Sequence, residues 1–193
     1  MKVVAFNSSP RPDGNTAYMI EQVFEELHKE GIETEMINIG QELLWGCQAC
    51  GKCSQNKNMR CSIGSDMMNT YVEKMVSADG IIIGSPVYFA GLNAQAKALI
   101  DRAGYVIRAN GNPLKRRVGV SLAAVRRAGA LPTLDMINHF FLASDMYLVG
   151  SSYWNFAFGR LEGEAADDEE GMRTMQNLGM NMAHLMKKLK IDN

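Results

Sequence analysis

The 193-residue sequence has no apolar run approaching the ~20 residues of a membrane-crossing helix. Its opening, Met1-Lys2-Val3-Val4-Ala5-Phe6, runs straight into a strand-like segment and has no signal-peptide layout. It also lacks an excess of one charge: 20 Lys and Arg against 21 Asp and Glu leave a formal net charge of −1. That balance gives no sign of the basic field expected of a nucleic-acid binder. Cysteine is absent outside residues 47–61, where all four lie. A secreted disulfide scaffold spreads its cysteines, so this clustering points to metal or redox chemistry. Two nucleotide motifs are missing as well: no G-x-G-x-x-G follows the first strand, and no G-x-x-x-x-G-K-[ST] occurs anywhere. No Ser-His-Asp or paired-carboxylate arrangement stands out, and His28, His139 and His184 lie in helical patterns away from other ligand types. The expectation is a soluble cytoplasmic chain without nucleic-acid or membrane partners.

What is present is an ordinary globular composition, 47% hydrophobic and 21% charged. A chain of this length buries about 70% of its unfolded surface and suits one domain, here 1–193. The 14 methionines suit irregular core gaps. Apolar runs alternate with helical periods throughout. Strands are predicted over 2–7, 32–39, 81–83, 118–123 and 146–149. Asn15 is placed as the cap of the first helix, in which Ile20, Val23, Phe24 and Leu27 repeat at helical spacing, and Gly31 closes it. Ser65 is placed as the cap of a helix carrying Met68, Tyr71, Val72 and Met75. Further helices are predicted near 93–103 and 132–143. A C-terminal helix over 165–190 carries Asp167-Asp168-Glu169-Glu170 at its start and Lys187, Lys188 and Lys190 at its end, charges that complement its dipole. Five strands separated by helices predict a doubly wound parallel sheet with helices on both faces. The aperiodic stretch 40–64 is a cysteine-bearing insertion after the second strand.

Ligands of such sheets sit outside the carboxyl ends of the strands. The loop after the first strand offers Ser8, Ser9, Asn15 and Thr16 as hydrogen-bonding groups and Arg11 as a cation, ahead of a helix N-terminus. That set suits a phosphate monoester; the alternative is a polar turn that caps a helix. The loop after the third strand, Ser85-Pro86-Val87-Tyr88-Phe89, offers apolar and aromatic walls with backbone hydrogen bonds for a flat ring. The third loop begins at Ala124 and carries Arg126 and Arg127, which can meet a ring edge, a nucleotide phosphate or water.

The motif Ser8-Ser9-Pro10-Arg11-x3-Asn15-Thr16 resembles the phosphate loop of the NADPH-dependent FMN reductase family, a flavodoxin-like group. Gly84-Ser85-Pro86-Val87-Tyr88-Phe89 resembles its flavin-ring loop, and Ala94-Gln95-x-Lys97-Ala98-Leu99-Ile100-Asp101-Arg102 the helix after it. The resemblance implies FMN held by Ser8, Ser9, Arg11, Asn15, Thr16, Ser85, Pro86, Val87, Tyr88, Phe89 and Ala124. The absence of a catalytic triad fits an enzyme whose flavin carries the chemistry.

Cys47-x2-Cys50-x2-Cys53-x7-Cys61 brings four thiols onto one short loop. The tandem spacing is an iron–sulfur spacing; zinc, or free redox-active thiols, are the other readings. The motif also resembles that of the iron–sulfur flavoproteins, a branch of the same family, which implies a [4Fe–4S] cluster on Cys47, Cys50, Cys53 and Cys61 exchanging electrons with FMN. The functional expectation is an FMN-dependent oxidoreductase fed by NAD(P)H or a ferredoxin-like donor, with a small-molecule or quinone-like acceptor. The alternative is an electron carrier that docks a ferredoxin-like partner and has no small-molecule substrate. The cysteine loop is expected to be weakly anchored, with Cys61 its least certain ligand. Tyr88, Phe89, Tyr153, Trp154, Phe156 and Phe158, read as lying outside regular elements, predict a homodimer or a pair of dimers.

Overall fold

The computed structural model describes residues 1–191, excluding the side chains of the last two. Its sheet comprises β1 (Lys2–Asn7), β2 (Glu33–Asn38), β3 (Gly80–Pro86), β4 (Val118–Val125), β5 (Tyr147–Leu148) and β6 (Phe156–Phe158). All pairings are parallel, in the order β2-β1-β3-β4-β5, with β6 also on β4. The expected five-position sheet is therefore present, but its fifth position is split. β5 covers Val118 and Gly119 of β4, the chain leaves the sheet over 149–155, and β6 returns against Ala123 to Val125. Segments of two and three residues are too short for alternation to register, which is why β6 is not legible in the sequence. Phe156 and Phe158 thus belong to a strand, correcting their expected place outside it, with Ala157 between them fully buried.

Alternating side chains of the strands feed two large cores, and Ala123 and Val125 at the end of β4 join a small third cluster with Ala130 and Leu134. Val3, Ala5, Ile82, Val120 and Leu122 pack against α1 (Asn15–Lys29) and α6 (Glu169–Ile191). Val4, Phe6, Ile81 and Ile83 pack against α3 (Met68–Ser77), α4 (Ala94–Ala109) and α5 (Ala130–Ala143), while the short α2 (Lys52–Asn56) lies within the cysteine-bearing stretch. Strands buried on both faces read as continuous apolar runs, as β1 and β3 do. The α6 face toward the sheet is filled by Met172, Met175, Leu178, Met182 and Met186. Among the described residues no helix is long and apolar enough to cross a membrane.

Three helix starts differ from expectation. Gly14, not Asn15, is the N-cap of α1, and no side chain caps it. Ser65 caps nothing: α3 begins at Met68, whose N–H donates to Asp66 Oδ1 at 3.3 Å. The helix expected from 165 starts at Glu169, after a 3₁₀ turn over Glu164–Asp167. Asp168 ends that turn, accepting from the N–H groups of Gly171 at 3.0 Å and Phe158 at 2.7 Å. Its carboxylate thus ties the helix start to β6. The Lys190 side chain, expected in the last turn, lies outside the described residues.

Candidate functional site

A cavity of about 210 Å³ opens at the carboxyl ends of β1, β3 and β4. It brings together Ser9, Arg11, Asn15 and Thr16 of the first loop, Pro86, Val87 and Tyr88 of the second, and Ala124 and Arg126 of the third. Gly159 and Arg160, which follow β6, complete the wall and were not anticipated. At its floor lies the uncapped start of α1, where the N–H groups of Asn15, Thr16 and Ala17 have no acceptor among the described residues. Unpaired N–H groups at a helix start carry partial positive charge and favour an anion. Arg11, Arg126 and Arg160 add three guanidinium groups around the same space. The Thr16 methyl lies toward Gly84, where an added Cβ would stand 2.8 Å from it.

Not every expected residue reaches this cavity. Ser8 is fully buried, and its hydroxyl donates to the Gly84 carbonyl at 2.9 Å, fastening the first loop to the second. The Ser85 hydroxyl donates to the Pro86 carbonyl and accepts from the Asn93 N–H at 3.1 Å. Both serines shape the loops from behind. Asn93, absent from the expected set, caps α4 by accepting from the Ala96 N–H at 3.2 Å and donates to the Ser8 carbonyl. Asn15 lines the wall, but its amide is already engaged: it donates to the Leu161 carbonyl at 2.8 Å and accepts from the Ala165 N–H at 3.1 Å. It straps the segment after β6 across the first loop. Gly159 permits that approach, since a Cβ there would meet the Asn15 Nδ2 at 2.6 Å.

Phe89 points away from the cavity and is fully exposed at the tip of a turn. Tyr88 and Gly91 exchange backbone hydrogen bonds of 2.9 and 3.0 Å, leaving Phe89 and Ala90 at φ +47° and +59°. Two adjacent non-glycine residues in the left-handed region cost about 1–3 kcal/mol each, strain of a kind concentrated at ligand loops. The Val87 N–H donates to the Ala124 carbonyl at 2.9 Å and ties this loop to the third. Arg127 lies on the far side, in a separate cleft with Trp154, Phe156 and Phe158.

All four cysteines are free thiols and line one second cavity of about 120 Å³, against Arg102 and Tyr105 of α4. Among the described residues no three His, Cys, Asp or Glu side chains are already drawn together as a metal-binding group. Cys47 and Cys50 are exposed, whereas Cys53 and Cys61 are half-buried and pack on the core with Leu44 and Met59. Asn69 holds the Cys61 backbone on both sides, accepting from its N–H at 2.7 Å and donating to its carbonyl at 3.1 Å. The Asn110 side chain accepts from the Met59 N–H at 3.0 Å. The loop is therefore well anchored, contrary to expectation, and Cys61 is its most firmly held cysteine. The anchors come from α3 and α4, distant in sequence, so the loop's own composition does not reveal them. Burial alone would raise the Asp66 carboxyl, but the Arg102 guanidinium and the N–H groups of Trp45 and Met68 hold it below the usual carboxylate range. A hydrogen bond with the Ser62 hydroxyl, 3.4 Å away, lowers the Cys50 thiol.

A parallel sheet of order 2-1-3-4-5, with an uncapped helix start after its first strand and an apolar loop after its third, is the flavodoxin-like arrangement. The class is that of flavodoxin-like flavoproteins. Within it, the chain belongs to the NADPH-dependent FMN reductase family, whose model matches residues 1–160. It is 37% identical to an iron–sulfur flavoprotein of Methanocaldococcus jannaschii, covering 98% of this chain and all of that protein. An iron–sulfur flavoprotein of Methanosarcina thermophila is 32% identical over 98% of this chain and 97% of its own length. Among solved structures, RosB bound to a formylated flavin phosphate intermediate superposes with a TM-score of 0.77 at 17% identity, over 99% of this chain and 81% of that one. A flavodoxin from the Archaea gives 0.63 at 12% identity, over 97% and 99%. Membership of this family makes the chain a flavin-dependent oxidoreductase with FMN as its cofactor.

Proposed function

We propose that the chain is one flavodoxin-like unit, an oxidoreductase of the iron–sulfur flavoprotein type. FMN occupies the sheet-edge cavity, Cys47, Cys50, Cys53 and Cys61 hold a [4Fe–4S] cluster, and NAD(P)H or a reduced ferredoxin-like protein supplies electrons for a small-molecule or quinone-like acceptor. The observation that carries the flavin site is the convergence of three loops on an uncapped helix start ringed by Arg11, Arg126 and Arg160. The names of the archaeal relatives and the sharing of one cavity by four free thiols support the cluster. So does the Arg102 Nε, a buried donor without a partner among the described residues, which fits a site meant for negative charge. FMN, when bound, supplies one- and two-electron chemistry, and the cluster supplies one-electron steps.

The chain's own residues bind and orient. The N–H groups of Asn15, Thr16 and Ala17 and the Arg11 guanidinium hold the phosphate dianion, and the Thr16 hydroxyl adds a donor. Pro86, Val87 and Tyr88 form the wall for the ring, and Arg126 faces its polar edge. Ser8, Ser85 and Asn93 hold the loops in register, while Asn15 and Gly159 bring the segment after β6 over the phosphate end.

Anaerobic reconstitution, read by absorption spectrum and by iron and sulfide content, tests both cofactors together. About four irons per chain are expected, lost when Cys47, Cys50 or Cys53 becomes Ala; stoichiometric zinc, or no metal, overturns the cluster. A second reading, an electron carrier, is favoured by the exposed Phe89 beside the cavity mouth, a contact point for a protein partner. Steady-state oxidation of NADH or NADPH with an added acceptor is expected of the oxidoreductase; FMN-loaded protein inert to both nucleotides is the carrier. Exposed Phe89, Tyr153 and Trp154 further support a homodimer or pair of dimers, and a flavin-loaded monomer in sedimentation at micromolar concentration overturns that assembly.

A further inference from the structure

We propose that Arg102 is the positioning residue of the cysteine site, closing the loop on itself and supplying its only buried counter-charge among the described residues. Arg102 rises from the middle of α4 into the protein, with its side chain 0% exposed. One guanidinium nitrogen, Nη1, donates to the Trp45 carbonyl at 3.2 Å and to Asp66 Oδ2. The other, Nη2, donates to the Cys61 sulfur at 3.3 Å and to the Ile63 carbonyl at 3.0 Å. Trp45 lies two residues before Cys47; Cys61 ends the motif, and Ile63 and Asp66 follow it. A single planar fork therefore fastens both ends of the segment that carries all four thiols. Asp66 completes the clasp by accepting from the Trp45 N–H at 3.1 Å.

This geometry has two separable consequences. The first needs no metal: with both ends fixed, the four thiols are confined to one cavity before any ligand arrives, so less ordering entropy is lost when they converge. Lysine cannot reproduce it, because a point-like ammonium cannot reach four acceptors in the directions a guanidinium does. The second rests on the cluster reading given above. A cation and a hydrogen bond to a ligating sulfur stabilise the more negative, reduced state, which raises the cluster's reduction potential. The charge contribution survives replacement by lysine, and the fork does not. Asp66 orients the guanidinium and offsets part of its charge.

The experiment compares the full chain with Arg102→Lys, Arg102→Met and the double variant Arg102→Met/Asp66→Asn, which leaves no unpaired buried carboxylate if the single Met variant unfolds. Circular dichroism melts select the variants that fold. In metal-free, reduced protein, Cys61 alkylation by iodoacetamide and tryptic cleavage after Lys57 and Arg60 are read by peptide mapping. Both are expected to accelerate about tenfold or more in every folded variant, as loss of the clasp raises the open population. Rates equal to wild type in folded variants overturn the proposal. After anaerobic reconstitution, iron retention is expected to fall in all variants. The reduction potential is expected to fall in both Met-containing variants and to stay nearer wild type with lysine; an unchanged potential in the folded Met variants overturns the counter-charge role. If wild type binds no iron–sulfur cluster, the cluster reading fails, while the metal-free alkylation and cleavage rates still decide whether Arg102 is the clasp.

Discussion

Riboflavin, which lacks the phosphate, is expected to bind about 10²–10⁴-fold more weakly than FMN, from two or more charge-assisted hydrogen bonds at about 1.5–3 kcal/mol each. The donors are the Arg11 guanidinium and the N–H groups at the open start of α1. Among the described residues the Arg11 guanidinium donates to the Arg160 carbonyl alone, at 3.3 Å, so it can turn to a dianion at little cost. Arg11→Ala should therefore weaken FMN by about 1.5–3 kcal/mol and leave riboflavin nearly unchanged. Thr16→Ala, which removes one neutral donor, should cost FMN about 0.5–1.5 kcal/mol. Fluorescence titration with both flavins reads these differences directly. Equal affinity for the two flavins would remove the phosphate from this loop.

Gly40→Ala is expected to have the larger structural effect, with FMN binding lost and the melting temperature lowered. A Cβ at Gly40 would stand 1.8 Å from the Ser9 carbonyl oxygen, 2.1 Å from its carbon and 2.6 Å from the Pro10 nitrogen. All three are backbone atoms, so no rotamer can relieve the clash; the phosphate loop itself has to move. Overpacking of this kind costs about 1–3 kcal/mol in stability, and a shifted loop no longer aims its donors at one anion. Gly159→Ala meets the Asn15 Nδ2 at 2.6 Å and the Ala165 backbone nitrogen at 2.9 Å; releasing the strap relieves the first and a few tenths of an ångström the second, so a milder loss is expected. Gly64→Ala meets nothing within 4 Å and serves as the control. Wild-type FMN affinity and melting temperature in Gly40→Ala would show that the loop tolerates displacement.

The strand and helix order was legible in the sequence because doubly buried strands such as Val3-Val4-Ala5-Phe6 and Ile81-Ile82-Ile83 leave an unmistakable apolar signature between amphipathic helices. The three loops at one sheet edge follow from that order, since parallel strands place all their carboxyl ends together. That order together with the family resemblance pointed to Ser9, Arg11, Asn15, Thr16, Pro86, Val87, Tyr88 and Ala124, all of which line the cavity. The clustering of the four cysteines was equally legible.

The tertiary structure decided what depends on contacts between distant residues. Ser8 and Ser85 stand in the right loops, yet their hydroxyls are spent on Gly84, Pro86 and Asn93. Nothing local in the sequence separates a buried serine from one that lines a cavity. Gly40 looks like any turn glycine until Ser9, 31 residues earlier, is seen against it. Arg102 stands on the apolar stripe of α4 with Leu99, Ala103 and Val106, where a cation is out of place by pattern, and only the return of Cys61, Ile63 and Asp66 onto α4 shows it as a buried clasp. Periodicity reports which face of an element is buried; which polar atom meets which partner is set by packing across the chain. The sequence by itself determined the fold, the sheet edge at which the loops meet and the clustering of the cysteines, because these are properties of pattern and order. The shape of the phosphate loop and the anchoring of the cysteines were decided by tertiary contacts, because each depends on a few ångströms between segments that are far apart along the chain.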